Sequence, residues 1–234
     1  MEPMRRNAST VVVLAGPAPG EVLAAVGQSM NVTLIRPENP ADGDSDQLAA
    51  AAAALQRAGR TTAPYALVLA DPLAAVAAGW QAMWDVSRPE GPAEFELEAA
   101  KALAAWRAGR FELPDYYLVL AADTSAGAAV GVSAAVGAGG ELGPNFYLGP
   151  LRSARPNRVA FVAAREPPAQ ASGVLQALGS LRHGPWWPGL DDVINEAREF
   201  YPDSLAEPSL PASRTTPPSA RGDASSPGLS RSRA

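Results

Sequence analysis

Five short apolar runs constrain this chain more than any other feature, because the residues between them follow a different period. The runs cover residues 10–15, 32–35, 65–70, 116–122 and 158–163. They are continuous rather than alternating, which marks strands buried on both faces. The intervening segments repeat at helical spacing. Residues 21–30 place Val22, Val26 and Met30 on one face, and residues 47–58 are Ala-rich, with Gly59 as the closing residue. Asp71-Pro72 gives an N-cap and a first helical position for a helix to about residue 85, carrying Leu73, Val76, Trp80 and Trp84. Residues 93–108 carry Phe95, Ala99, Leu103 and Trp106 on one stripe, and Glu94, Glu96 and Glu98 favour the helix start. Two late helices follow, one through Val174, Leu175, Leu178 and Leu181, the other through Leu190, Val193, Ile194, Ala197 and Phe200. Strand and helix in alternation predict an α/β domain. Its mostly parallel sheet is flanked by helices through right-handed crossovers, Rossmann-like in the broad sense.

Composition divides the chain unevenly. Residues 204–234 are Pro, Ser, Ala, Arg and Gly with almost nothing large and apolar. Such a segment cannot bury enough surface to offset its ordering entropy, so a disordered tail is expected there, and an α/β domain over 1–203. Within that domain, 12 of the 20 residues from Thr124 to Gly143 are Gly or Ala. That composition reads as a flexible insertion over 124–143 more than as a lid that closes on a substrate.

Several chemistries are excluded outright. There is no Cys and a single His, His183, among 234 residues. Disulfides, thiolate metal sites, thiol nucleophiles and two-His metal motifs all fall away. The only lysine is Lys101, within a helical segment, so there is no phosphate-binding Gly-Lys-Ser/Thr loop. The excess of Arg over Lys, with abundant Ala, Gly and Pro, reads as a high-GC bacterial genome and concerns origin rather than chemistry. The formal charge is −5. The tail holds Arg214, Arg221, Arg231 and Arg233 against Glu207 and Asp223, a net +2 that leaves −7 for the rest. An acidic body argues against nucleic acid as a partner. The apolar run at residues 11–15 is too short for a signal peptide, and residues 116–140 are too polar for a membrane span, so a cytoplasmic protein without membrane contact is expected.

Four groups of residues remain as candidates. The first strand is followed by Gly16-Pro17-Ala18-Pro19-Gly20, where Gly16 and Gly20 would let a backbone approach a phosphate. Two prolines there remove N–H donors, and Glu21 repels an anion, so an ordinary tight turn competes with that reading. Asp71 and Asp123 both end strands; if those strands are neighbours, the pair suits Mg²⁺ or a ribose. Asp71 also reads simply as an N-cap, and Asp123 as a turn residue. Arg152, Arg155 and Arg158 recur every third residue with no acid nearby in sequence, a spacing that aligns them on a helical turn. Their guanidinium forks suit an external carboxylate or phosphate, and an internal pairing with Glu94, Glu96, Glu98, Asp191 or Asp192 competes. Trp186 and Trp187 stand between two prolines, as a core cap or a partner's anchor.

The leading expectation is a non-catalytic accessory or protein-interaction module, binding through the Arg cluster and the Trp-Trp turn. The alternative is an enzyme or sensor that binds a phosphorylated small molecule or nucleotide at the C-terminal ends of the strands. No cofactor and no metal ligand set is expected. A single cleft gathering these groups would favour the alternative, and groups on opposite sides the first.

Overall fold

A computed structural model describes residues 9–38, 47–121 and 145–200. The insertion at 124–143, Asp123 and the tail at 204–234 lie outside them. Five parallel strands form one sheet: β1 (Thr10–Ala15), β2 (Val32–Ile35), β3 (Tyr65–Val68), β4 (Tyr116–Leu120) and β5 (Val159–Val162). Their order is β2-β3-β1-β4-β5. The helices are α1 (Gly20–Gly27), α2 (Gln47–Ala58), α3 (Ala74–Met83), α4 (Gly91–Arg107), α5 (Arg152–Ala154), α6 (Pro167–Gly179) and α7 (Leu190–Glu199).

Side chains of each strand alternate between two cores. One core joins Val12 and Leu14 of β1 and Leu118 and Leu120 of β4 to α1 and α6. The other joins Val11, Val13, Tyr117 and Val119 to α2, α3, α4 and α7. Burial on both faces is why the strands read as unbroken apolar runs. The connection from β1 to β2 runs one way along the sheet and puts its helix on the first face. The connections from β2 to β3, β3 to β4 and β4 to β5 all run the other way, and their described residues pack on the second face. That division is what a single crossover hand produces.

Three expectations change in detail. Met30 lies past the end of α1 and is almost fully exposed, because the helix stops at Gly27 and turns toward β2. Helix α3 begins at Ala74, and Asp71 holds the turn before it rather than the helix itself. The arginine segment is not one helical turn: a π-helical turn, Tyr147–Leu151, leads into α5, and Arg155 then adopts φ −150°, ψ 87°. That extended residue separates Arg152 from Arg158 and removes the shared face that their spacing suggested.

Candidate functional site

The candidate residues divide between the two ends of the parallel strands. At the C-terminal end, β1 closes in Gly16 at φ +96°, with an ideal Cβ position only 2.5 Å from the Leu120 carbonyl oxygen of β4. Only glycine fits there, for both backbone and space. Pro19 then precedes α1, and Gly20 is its first residue. The structure thus gives Gly16 a packing reason of its own, whereas a Cβ on Gly20 would meet open space.

Asp71 follows β3 at the same end. Its Oδ1 accepts the Leu73 N–H at 2.9 Å and the Tyr117 hydroxyl at 3.2 Å, and its Oδ2 accepts the Tyr147 hydroxyl. Tyr117 comes from β4 and Tyr147 from the crossover to β5, so one carboxylate ties three segments together. Burial raises the Asp71 pKa, and the bonds from Tyr147, Leu73 and Tyr117 pull against that rise. Burial and the neighbouring carboxylate push both tyrosines well above their ordinary value, so both hydroxyls remain protonated donors. The expected pairing with Asp123 required neighbouring strands. β1 lies between β3 and β4, so these strands are not neighbours, and Asp123 is outside the described residues.

At the N-terminal end stands Arg158, a buried cation whose guanidinium, among the described residues, bonds carbonyls rather than a carboxylate. Its Nε donates to the Pro185 carbonyl at 3.0 Å, Nη2 to Gly184 at 2.9 Å and Nη1 to Asp115 at 3.2 Å. The guanidinium also lies over the rings of Tyr116 and Trp186, 4.9 and 4.8 Å from their centroids. Arg155 donates from Nε to the Trp186 carbonyl at 2.6 Å and from Nη1 to Ala154 at 2.8 Å. Both arginines therefore clasp the 184–186 turn. Four of the five acids expected to meet them are taken by other cations: Glu94 by Arg88, Glu96 by Arg198, Glu98 by Lys101 and Asp191 by Arg107. Arg152 stays exposed on α5.

The two tryptophans part company. Trp187 is buried, donates its indole N–H to the Pro114 carbonyl at 2.6 Å, and stands edge-on to Tyr117 at 5.8 Å. Trp186 points outward with 45% of its surface exposed, beside exposed Arg182, His183 and Pro185. Close by, Asp115 accepts the Val11 N–H at 2.7 Å, fastening the start of β1 to the start of β4. Burial raises its pKa, against the Val11 bond and the Arg158 charge.

Sequence reasoning missed Tyr117, Tyr147 and Asp115. A signal for Tyr117 existed: a tyrosine inside a strand buried on both faces must find a partner for its hydroxyl. Tyr147 and Asp115 are joined to their partners only by the fold. Among the described residues, no three His, Cys, Asp or Glu side chains gather as a metal site, and no helix is long and apolar enough to cross a membrane. Set against family models, curated proteins and solved structures, the chain matches none of them.

Proposed function

We propose that this chain is a non-catalytic interaction module that docks an acidic segment of a protein partner on the N-terminal edge of its sheet. The half-exposed Trp186, on a turn clasped by Arg155 and Arg158, carries this reading. An indole already fixed in place loses little freedom on contact, so the area it buries goes into affinity. Exposed Arg182 close to Trp186 in sequence, the accessible part of Arg155, and exposed Arg152 three residues before it bring positive charge to this stretch in an otherwise acidic chain. Such a spot steers an acidic segment into register. The acidic, cysteine-free composition suits a cytoplasmic setting.

The competing reading places a phosphorylated ligand at the C-terminal ends of the strands. Asp71 is the charged group at the centre of the described polar cluster there, and the arginine cluster lies at the opposite edge. A phosphate would face the carboxylate without the guanidinium forks that this reading needs.

Acidic, Trp- or Leu-containing peptides titrated into the purified protein test the proposal. Saturable, salt-sensitive binding is expected, lost in Trp186→Ala and weakened in the double variant Arg152→Gln, Arg155→Gln. Failure of every such peptide to bind overturns the reading. So does a rise in melting temperature with nucleotides or sugar phosphates that disappears in Asp71→Asn.

A further inference from the structure

Away from both edges, α2, α3 and α4 enclose a cleft of about 580 Å³, within the range of small-molecule sites. Its accessible apolar lining comes from small or partly buried residues, Leu48 on α2, Ala75 on α3 and Ala104 on α4, while Val76, Ala102 and Ala105 border it but are at most 4% exposed. Pro72 adds to the wall. The charges at its mouth do not cancel. Lys101 Nζ is 2.6 Å from Glu98 Oε1, so those two neutralise each other. Arg110 lines the same mouth and has no ion-pair partner among the described residues. Its backbone is fixed, because Gly109 at φ +66° turns the chain back and the Arg110 N–H closes on the Ala105 carbonyl at 3.0 Å.

We propose that this cleft binds a small organic monoanion with an apolar body, of the class of medium-chain or arylalkyl carboxylates. The apolar body lies on Leu48, Ala75 and Ala104, and the carboxylate takes the Arg110 fork. A cation of the same shape meets Arg110 as a like charge. A neutral alcohol gains the apolar lining but not the fork. This site shares no residue with the Trp186 surface, so either proposal stands or falls without the other.

Octanoate and phenylbutyrate serve as probes of the full chain, with octylamine and octanol as controls, read by thermal shift and calorimetry. Saturable binding and a raised melting temperature are expected with the two carboxylates, and not with the amine. Arg110→Gln, at an exposed position, should weaken octanoate about tenfold or more while leaving the unliganded protein folded. Ala104→Leu, another exposed lining position, should block the cleft and abolish binding. The proposal is overturned if neither carboxylate binds, or if binding survives both substitutions. It is equally overturned if Ala104→Leu stabilises a protein that never bound a carboxylate, which would make the cleft a packing void. Binding that appears only after Asp42, Asp44 and Asp46 are all changed to Asn would assign Arg110 to the chain's own acidic stretch instead.

Discussion

Arg158 has no carboxylate bonded to its guanidinium among the described residues and yet is heavily engaged. Three carbonyls and two aromatic faces hold its charge. Arg158→Gln leaves several buried carbonyls without donors, so unfolding in urea should report a loss of about 2–4 kcal/mol. Added salt should restore only a small part of it, because the direct partners are dipoles and ring faces, and the Asp115 carboxylate feels the Arg158 charge only from a distance. Full salt rescue would instead mean that Arg158 acts mainly through an acid. Asp71 behaves differently, because its neutral form is the better buried one. Asp71→Ala abandons the Leu73 N–H and two buried tyrosine hydroxyls, and should cost about 1–3 kcal/mol at acid pH and less as pH rises. Asp71→Asn removes the charge and keeps one acceptor oxygen for Leu73 and Tyr117, while its amide nitrogen donates, so the Tyr147 hydroxyl must turn to accept from it. The folded pKa of Asp71 is raised above its ordinary 3.8, so its favourable contribution is complete below that value and declines as pH rises through the folded pKa. Wild type should therefore lose stability relative to Asp71→Asn from about pH 4 upward. Parallel stability-versus-pH curves for the two proteins would show that Asp71 is not the linked group.

At the scale of elements, α3 and α4 pack closely because Gly79 faces the α4 backbone. An ideal Cβ on Gly79 would sit 2.9 Å from Phe95 Cα, an atom that cannot swing aside. Gly79→Ala should thus cost about 1–3 kcal/mol despite the better helix propensity of alanine. Chemical denaturation measures it, and a neutral result would mean that the two helices slide apart at little cost. The same pair also frames the cleft, since small residues on both helices leave it unfilled. The crossover from β4 to β5 is built on other terms. Asn145 Oδ1 accepts the N–H groups of Tyr147 and Leu148, and Pro150 and the non-helical Gly149 bend the segment. The bend brings Tyr147 to Asp71 and delivers Arg158 to the opposite edge.

Across the whole molecule, a row of rings joins the two edges. Trp187 meets Tyr117, Tyr117 meets Tyr147, Tyr147 meets Phe146, and Phe146 meets Trp80, with centroids 5.6–6.2 Å apart. Trp80 in turn donates to the Ala197 carbonyl of α7 at 2.8 Å. Asp71 and Arg158 sit at opposite ends of the sheet and share no hydrogen-bond partner. Their effects should add within about 0.5 kcal/mol if the row is ordinary packing. A double variant carrying Asp71→Ala and Arg158→Gln, unfolded beside the two single variants, decides it. A larger departure would mean that the ring row couples the Trp186 surface to the Asp71 network.

Strand runs such as Val11-Val12-Val13-Leu14 and helical stripes such as Leu190, Val193, Ile194 and Ala197 were legible in the sequence. Burial on two faces and on one stripe leaves a periodic mark that needs no tertiary information. The α/β class and its parallel sheet followed from their alternation. Strand order did not, because nothing local says that β1 inserts between β3 and β4, and that insertion separates the strands whose ends carry Asp71 and Asp123. Spacing alone put Arg152, Arg155 and Arg158 on one face, whereas an extended Arg155 and the carbonyls of residues 184–186 redirected two of them inward. The sequence thus determined which segments are strand or helix and which chemistries the composition forbids. The tertiary structure alone decided which polar groups meet, because a hydrogen bond such as Tyr147 to Asp71 joins residues 76 apart and leaves no trace in local pattern.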